Sequence, residues 1–136
     1  MRLNSFWNHL PGVWRFERFL YGQLLQDGLL GVDIQSEFFY KVHENGTYKA
    51  QPEQTFFRNF SFRWEDDSIN IYGANPKDGY VFLHRINDLQ KSHTHLCKAD
   101  KYIFNLLEMS PEKWSSKIKI NGPKKDLELI TLYYRQ

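Results

Sequence analysis

From Gly12 onward, apolar and polar residues alternate with a period of two in short runs, and this parity predicts β-strands that bury one face each. The first ten residues differ. Leu3, Phe6, Trp7 and Leu10 recur at helical spacing, Asn4 or Ser5 is placed to cap, and Pro11 stops the run, so a short N-terminal helix should lid one end of the sheet. Strands are predicted over 12–21, 29–35, 37–43, 47–51, 54–64, 68–73, 80–86, 93–98, 101–107, 114–121 and 127–135. Turn chemistry divides them at Asp27-Gly28, Asn45-Gly46, Glu65-Asp66-Asp67, Asn75-Pro76-Lys77-Asp78-Gly79, Ser110-Pro111 and Asn121-Gly122-Pro123. Around ten or eleven short strands with tight connections imply an antiparallel meander, and a meander that long curls or closes. The predicted fold is all-β, a closed or nearly closed antiparallel meander barrel with a short N-terminal helix, in a single domain over 1–136.

The two ends of the chain carry the sharpest signal. Gly12-Val13-Trp14 opens the first strand and Thr131-Leu132-Tyr133-Tyr134-Arg135 closes the last. This pairing resembles lipocalin-type barrels, in which a Gly-x-Trp opens the first strand and an Arg of the final strand lies over the indole. The physics suits the role, since Trp is the best cation–π face and a guanidinium is weakly hydrated. Trp14 and Arg135 are therefore expected to touch, as the structural closure of the barrel.

Parity also selects the polar residues that point inward. Arg58 is the one charge among Phe56, Phe60, Phe62 and Trp64, Arg18 lies among Trp14, Phe16 and Leu20, and Arg135 lies beside Tyr133, Thr131 and Leu129. Guanidinium groups facing one interior need a negative partner. A carboxylate or phosphate ligand would meet that need, with Arg offering bidentate geometry and Tyr a hydroxyl. Fatty-acid-binding barrels are similar, holding an anionic head group with an Arg-x-Tyr pair, although here the order is Tyr133-x-Arg135. The plainer alternative is that Arg135 only covers Trp14, Arg18 pairs with an acid such as Asp33 or Asp100, and Arg58 sits at the rim.

His93, His95 and Cys97 would share one face of a strand. Histidines at that spacing can ligate zinc or haem iron, but no CxxC or HExxH pattern supplies a dependable third ligand, so no metal and no cofactor is expected. His95 is the best acid–base candidate, with Tyr102 beside it. Composition narrows the classes further. Eighteen basic and 16 acidic residues are scattered to a net charge of +2, with Lys124-Lys125 the longest basic run, which argues against nucleic acid as a partner. The single cysteine excludes an internal disulfide and fits a reducing, cytoplasmic setting. Charged residues break up the first twenty positions, so neither a signal peptide nor a membrane span is expected.

His95-x-Cys97-x-x-Asp100-x-Tyr102, Trp114, Gly122-Pro123-Lys124-Lys125-Asp126 and Thr131-x-Tyr133-x-Arg135 together resemble a functionally uncharacterised family of small calycin-like (lipocalin-like) barrel proteins. Leu10-Pro11-Gly12-Val13-Trp14 and Arg58-Asn59-Phe60 fall where that family has Leu-x-Gly-x-Trp and an Arg-x-Tyr. The resemblance implies the barrel and contributes no activity. The functional expectation is a lumen that binds a small, anionic and partly apolar molecule through Arg18, Arg58, Phe60, His95, Tyr102 and Tyr133. The alternative is a lyase or isomerase using His95 and Tyr102 for proton transfer in the same cavity.

Overall fold

Leu3, Phe6 and Trp7 fall on one side of a helical turn and are buried there, which is what holds so short a helix together. The computed structural model describes residues 1–75, 77 and 79–136. In it, α1 (Leu3–His9) is followed by β1 (Gly12–Leu20), β2 (Gln23–Ser36), β3 (Phe39–Tyr48), β4 (Thr55–Glu65) and β5 (Ser68–Asn75). The second half is β6 (Gly79–Ile86), β7 (Ser92–Cys97), β8 (Asp100–Met109), β9 (Lys113–Asn121) and β10 (Asp126–Arg135). All pairings are antiparallel, in the spatial order β6-β5-β4-β3-β2-β1-β10-β9-β8-β7. The first and last strands are thus hydrogen-bonded neighbours, and the sheet's free edges, β6 and β7, meet at a seam bridged by side chains. The result is an antiparallel barrel that is nearly closed.

The closed end is built by α1 and the first turn of β1. Trp7 stacks on Tyr40 with ring centroids 3.9 Å apart, and its indole N–H donates to the Glu37 carbonyl at 2.9 Å. The Trp14 indole N–H donates to the Leu10 carbonyl at 2.9 Å. Trp14 and Arg135 stand opposite each other in the β1–β10 register, and the guanidinium lies 3.9 Å above the indole ring. Arg135 also donates to the carbonyls of His9, Pro11 and Pro111, tying helix, first strand and the β8–β9 turn to the last strand. Gly12 has φ +125°, and a Cβ there would come within 2.9 Å of Arg135 Nη1. The glycine of Gly-x-Trp is thus required both by the backbone and by the guanidinium that passes over it.

Two predicted turns are not turns. Asp27-Gly28 lies inside β2 and Asn45-Gly46 inside β3, where Gly28 and Gly46 pair with each other. Parity and turn chemistry disagree there because the glycines serve close packing: a Cβ on Gly28 would sit 1.9 Å from the Asn45 carbonyl oxygen, and one on Gly46 would strike the Phe56 ring. Phe16, Gly28, Gly46 and Phe56 form one cross-strand row, and the flanking rings approach to 6.2 Å over the gap. The predicted strands 37–43 and 47–51 accordingly merge into β3. The actual hairpin before β2 is Tyr21-Gly22, both at positive φ. Neither Asn4 nor Ser5 caps the helix; the Leu3 amide donates instead to Asp88 Oδ1 at 2.9 Å, tying α1 to the β6–β7 connection. The turn predicted over Asn75-Pro76-Lys77-Asp78-Gly79 includes residues 76 and 78, which lie outside the described residues. Among the described residues, no helix is long and apolar enough to cross a membrane.

Arg135→Ala is expected to lower the unfolding free energy by about 2 kcal/mol in urea titrations, because a cation–π contact over a buried indole and the hydrogen bonds donated to three carbonyls are lost together. Arg135→Lys should recover little of it, since an ammonium cannot stack and fork at once. Unchanged stability in both variants would show that the closed end does not depend on this residue.

Candidate functional site

Inside the barrel lies a cavity of about 450 Å³, within the size range of small-molecule sites. Its walls are mostly apolar, supplied by inward residues such as Phe62, Ile71, Leu106 and Ile118, and α1 contributes Phe6 from the closed end. All six residues assigned to the ligand from sequence, Arg18, Arg58, Phe60, His95, Tyr102 and Tyr133, line it. Trp14 and Arg135 do not; they belong to the closed end.

The polar part of the wall is organised by a residue that sequence reasoning did not single out. Glu44, on β3 and 2% exposed, receives two hydrogen bonds from Arg18, Nη1 to Oε1 at 3.0 Å and Nη2 to Oε2 at 2.7 Å. Arg58, directly opposite Glu44 in the β3–β4 register, donates to Oε1 from Nε at 3.1 Å and from Nη2 at 2.6 Å. Arg18 completes its set with Nε to Thr131 Oγ1 and Nη1 to Gln26 Oε1, both at 2.9 Å. Arg18 therefore pairs with neither Asp33 nor Asp100. Asp33 faces His43 at 3.6 Å, and the Asp100 carboxylate packs against Gly122.

Burial alone would lower the Arg18 pKa, but the hydrogen bonds and charge of Glu44 outweigh it and hold the guanidinium above its ordinary value. Burial pushes the Glu44 carboxyl up, and Arg18 followed by Arg58 pulls it below the usual carboxylate range. The triad is thus fully ionised, with two positive groups and one negative. Its surplus charge lies on the Arg58 side, since Arg18 is buried and saturated whereas the Arg58 side chain is half exposed at the cavity rim. Arg58 also lies 5.5 Å from the Phe60 ring and 5.8 Å from Phe56.

A second polar group faces the cavity from the seam. His84 of β6 is buried, stacks on Phe104 with centroids 5.1 Å apart, and shares a hydrogen bond with His93 of β7 across an Nδ1–Nδ1 distance of 3.3 Å. His95 follows at 6.1 Å from His84. Burial first, and then the proximity of His93 and His95, lower the His84 pKa to about 4, and His93 is lowered for similar reasons. His95 and Tyr102 are cross-strand partners with ring centroids 6.4 Å apart, and no hydrogen bond joins them among the described residues. Among the described residues no group of three His, Cys, Asp or Glu is arranged to hold a metal ion. Cys97 is exposed and unpaired by disulfide, at the end of the same strand.

A family model described as a family of unknown function (DUF6314) matches residues 10–135. The chain belongs to that family. No curated protein matches it. Among solved structures it is similar to EF1p2_mFAP2b bound to DFHBI, at 13% identity and a TM-score of 0.61, with 98% of this chain and 99% of the other covered. It is similar also to a redesigned β-barrel, mFAP1, bound to DFHBI, at 14% identity and a TM-score of 0.57 over 95% of this chain and 97% of that one. A natural protein of the same fold is the S-type phycobiliprotein lyase CPES from Guillardia theta, at 11% identity and a TM-score of 0.60, covering 100% of this chain and 93% of the lyase. At these identities the likeness is one of fold.

In this DUF6314 chain Glu44 and His84 are polar residues of the cavity wall that the sequence pattern did not single out. Glu44 was hidden by the false turn at Asn45-Gly46, although Tyr40, Val42 and Glu44 share one parity in β3. His84 shares parity with the buried Ile86, and that was the available signal.

The depressed His84 pKa fixes a pH window. Between about 6.5, the ordinary imidazole value, and about 4, the unfolded chain takes up a proton that the folded one excludes, so stability is lost as pH falls through this range. A decline of up to about 3 kcal/mol is expected in denaturant titrations across it, flattened in His84→Phe. Below 4.5 Glu44 adds its own loss, as protonation breaks the triad. The same decline in His84→Phe would assign the acid sensitivity elsewhere.

Proposed function

We propose that this chain binds a small molecule with an anionic head group and an apolar, partly aromatic-contacting body inside the barrel, in the manner of a calycin-like cup. The observation that carries the reading is Arg58 at the rim of the cavity. Its Nε and Nη2 are turned to Glu44, while Nη1 makes no hydrogen bond among the described residues, and the triad it belongs to holds one positive charge more than negative. A carboxylate or phosphate at that edge would meet a solvent-facing donor and the triad's surplus positive charge together. Arg18 then serves as the buried brace that fixes Glu44, and Glu44 fixes the Arg58 fork. Phe60 and Tyr133 supply flat surface for the body of the ligand. The two similar barrels described with DFHBI bound support the idea that a lumen of this fold admits a small molecule.

Pairs of fatty acids and their primary amides test the reading. Isothermal titration of decanoic acid and decanamide should give tighter binding of the acid by about ten- to a hundredfold, as expected of one charge-assisted hydrogen bond of roughly 1.5–3 kcal/mol in a sheltered site. Arg58→Gln should remove that preference while leaving the melting temperature unchanged or raised, because Arg18 still holds Glu44. Equal affinity for acid and amide in the unmodified protein would rule out the anionic head group.

A further inference from the structure

Among the described residues β6 and β7 are the two edges of the sheet, not paired as a ladder, and side chains span the seam between them, a hydrogen-bonded pair of imidazoles at their centre. His84 is 6% exposed, packed face-on against Phe104, and lines the cavity. Its Nδ1 is engaged by His93, so Nε2 is the nitrogen left for an occupant of the lumen. Both rings are neutral at neutral pH, since burial disfavours the charged forms, with His93 and His95 adding to it at His84, and His95 and Arg85 at His93. A neutral pair sharing one proton between its Nδ1 atoms has two arrangements. If His84 donates to His93, its Nε2 is a bare acceptor; if it accepts, Nε2–H is a donor. His93 can shift its own proton to match.

That pair therefore suits a group able both to donate and to accept, and as a neutral pair it gives an anion no charge of its own to offset lost hydration. We propose that the ligand carries, besides the acid met by Arg58, an uncharged hydroxyl at its far end, held by His84 Nε2 with His95 and Tyr102 beside it. This makes the ligand class a hydroxylated, elongated organic acid, and it rests on the reading of Arg58 for the acid alone. His84 becomes a specificity-determining residue whose partner across the seam, His93, sets which way its proton faces. His95, in the same wall, offers the second hydrogen-bonding edge that a hydroxyl can use.

The experiment is a two-by-two titration. Octanoic, decanoic, dodecanoic and tetradecanoic acids, their ω-hydroxy counterparts, and the primary amides of both sets are titrated into the unmodified protein, His84→Phe and His95→Leu. At the best-fitting length the ω-hydroxy compound should bind about three- to tenfold tighter than its parent, in the acid series and the amide series alike. His84→Phe should reverse this preference, because a hydroxyl buried against a phenyl ring loses its water without replacement. His95→Leu, a change nearer the surface that leaves the Phe104 stack intact, should reduce it. A preference for the plain compound at every length in the unmodified protein would overturn the proposal, as would a hydroxyl preference retained in His84→Phe. Because acid-over-amide and hydroxyl-over-plain are separate comparisons in one data set, a failure of the Arg58 reading appears in the first and a failure of this one in the second.

Discussion

A sheet of this length has an interior only if its first and last strands meet, and in this chain the β1–β10 ladder makes that meeting and one guanidinium caps its end. Arg135 spans the register between β10 and β1, covers the Trp14 indole, and takes up carbonyl groups from the end of α1 and from the β8–β9 turn. Gly12 is glycine because that guanidinium passes within reach of where a side chain would start. With this end sealed, the helix can plug it with Phe6 and Trp7, and the strands beyond diverge around an unfilled volume. The seam is displaced to β6 and β7, far from the closure in sequence, and there side chains substitute for a ladder.

The second constraint follows from the first. Once residues on β1, β3 and β4 face a common interior, the buried Arg18 needs a partner that water no longer supplies, and Arg58 at the rim shares it. Glu44 meets both, at the cost of being buried itself. Two guanidinium groups on one carboxylate leave a charge over, and geometry assigns it to the half-exposed member. The inner wall thus has two unlike polar ends: a charged edge at Arg58, and a neutral edge at the His84–His93 pair. The rest of the wall is mostly apolar. An interior arranged only for stability would have little use for either, since a buried ion triad is often replaceable by well-packed apolar residues without loss.

Much of the fold was legible in the sequence because its signals were redundant. Period-two parity pointed to a meander of strands, the helical run stopped by Pro11 to a plug at one end, and the Gly-x-Trp and terminal Arg pair to a barrel with adjoining ends. Inward-facing residues such as Arg58, Phe60, His95 and Tyr133 followed from parity alone, since a side chain's face in a strand is fixed by its position. What parity does not carry is the partner across the sheet, which depends on register. Gly28 and Gly46 read as turn residues, yet they face one another in mid-strand to make room for Phe16 and Phe56. That single misreading broke β3 and removed Glu44 from view, and with it the true partner of Arg18. His84 was missed for a related reason: its significance comes from β7, reached across a seam that local sequence does not mark.

The account's central claim is that the lumen, and no outer face, takes up a small acid. Titration of isotopically labelled protein with decanoic acid, followed by amide and side-chain chemical shifts, tests it most directly. The account expects saturable shifts at inward residues such as Phe60, Ile118 and Tyr133, with the outward and exposed Leu29 and Phe57 left in place. Shifts confined to the outward residues, or none at all, would contradict it.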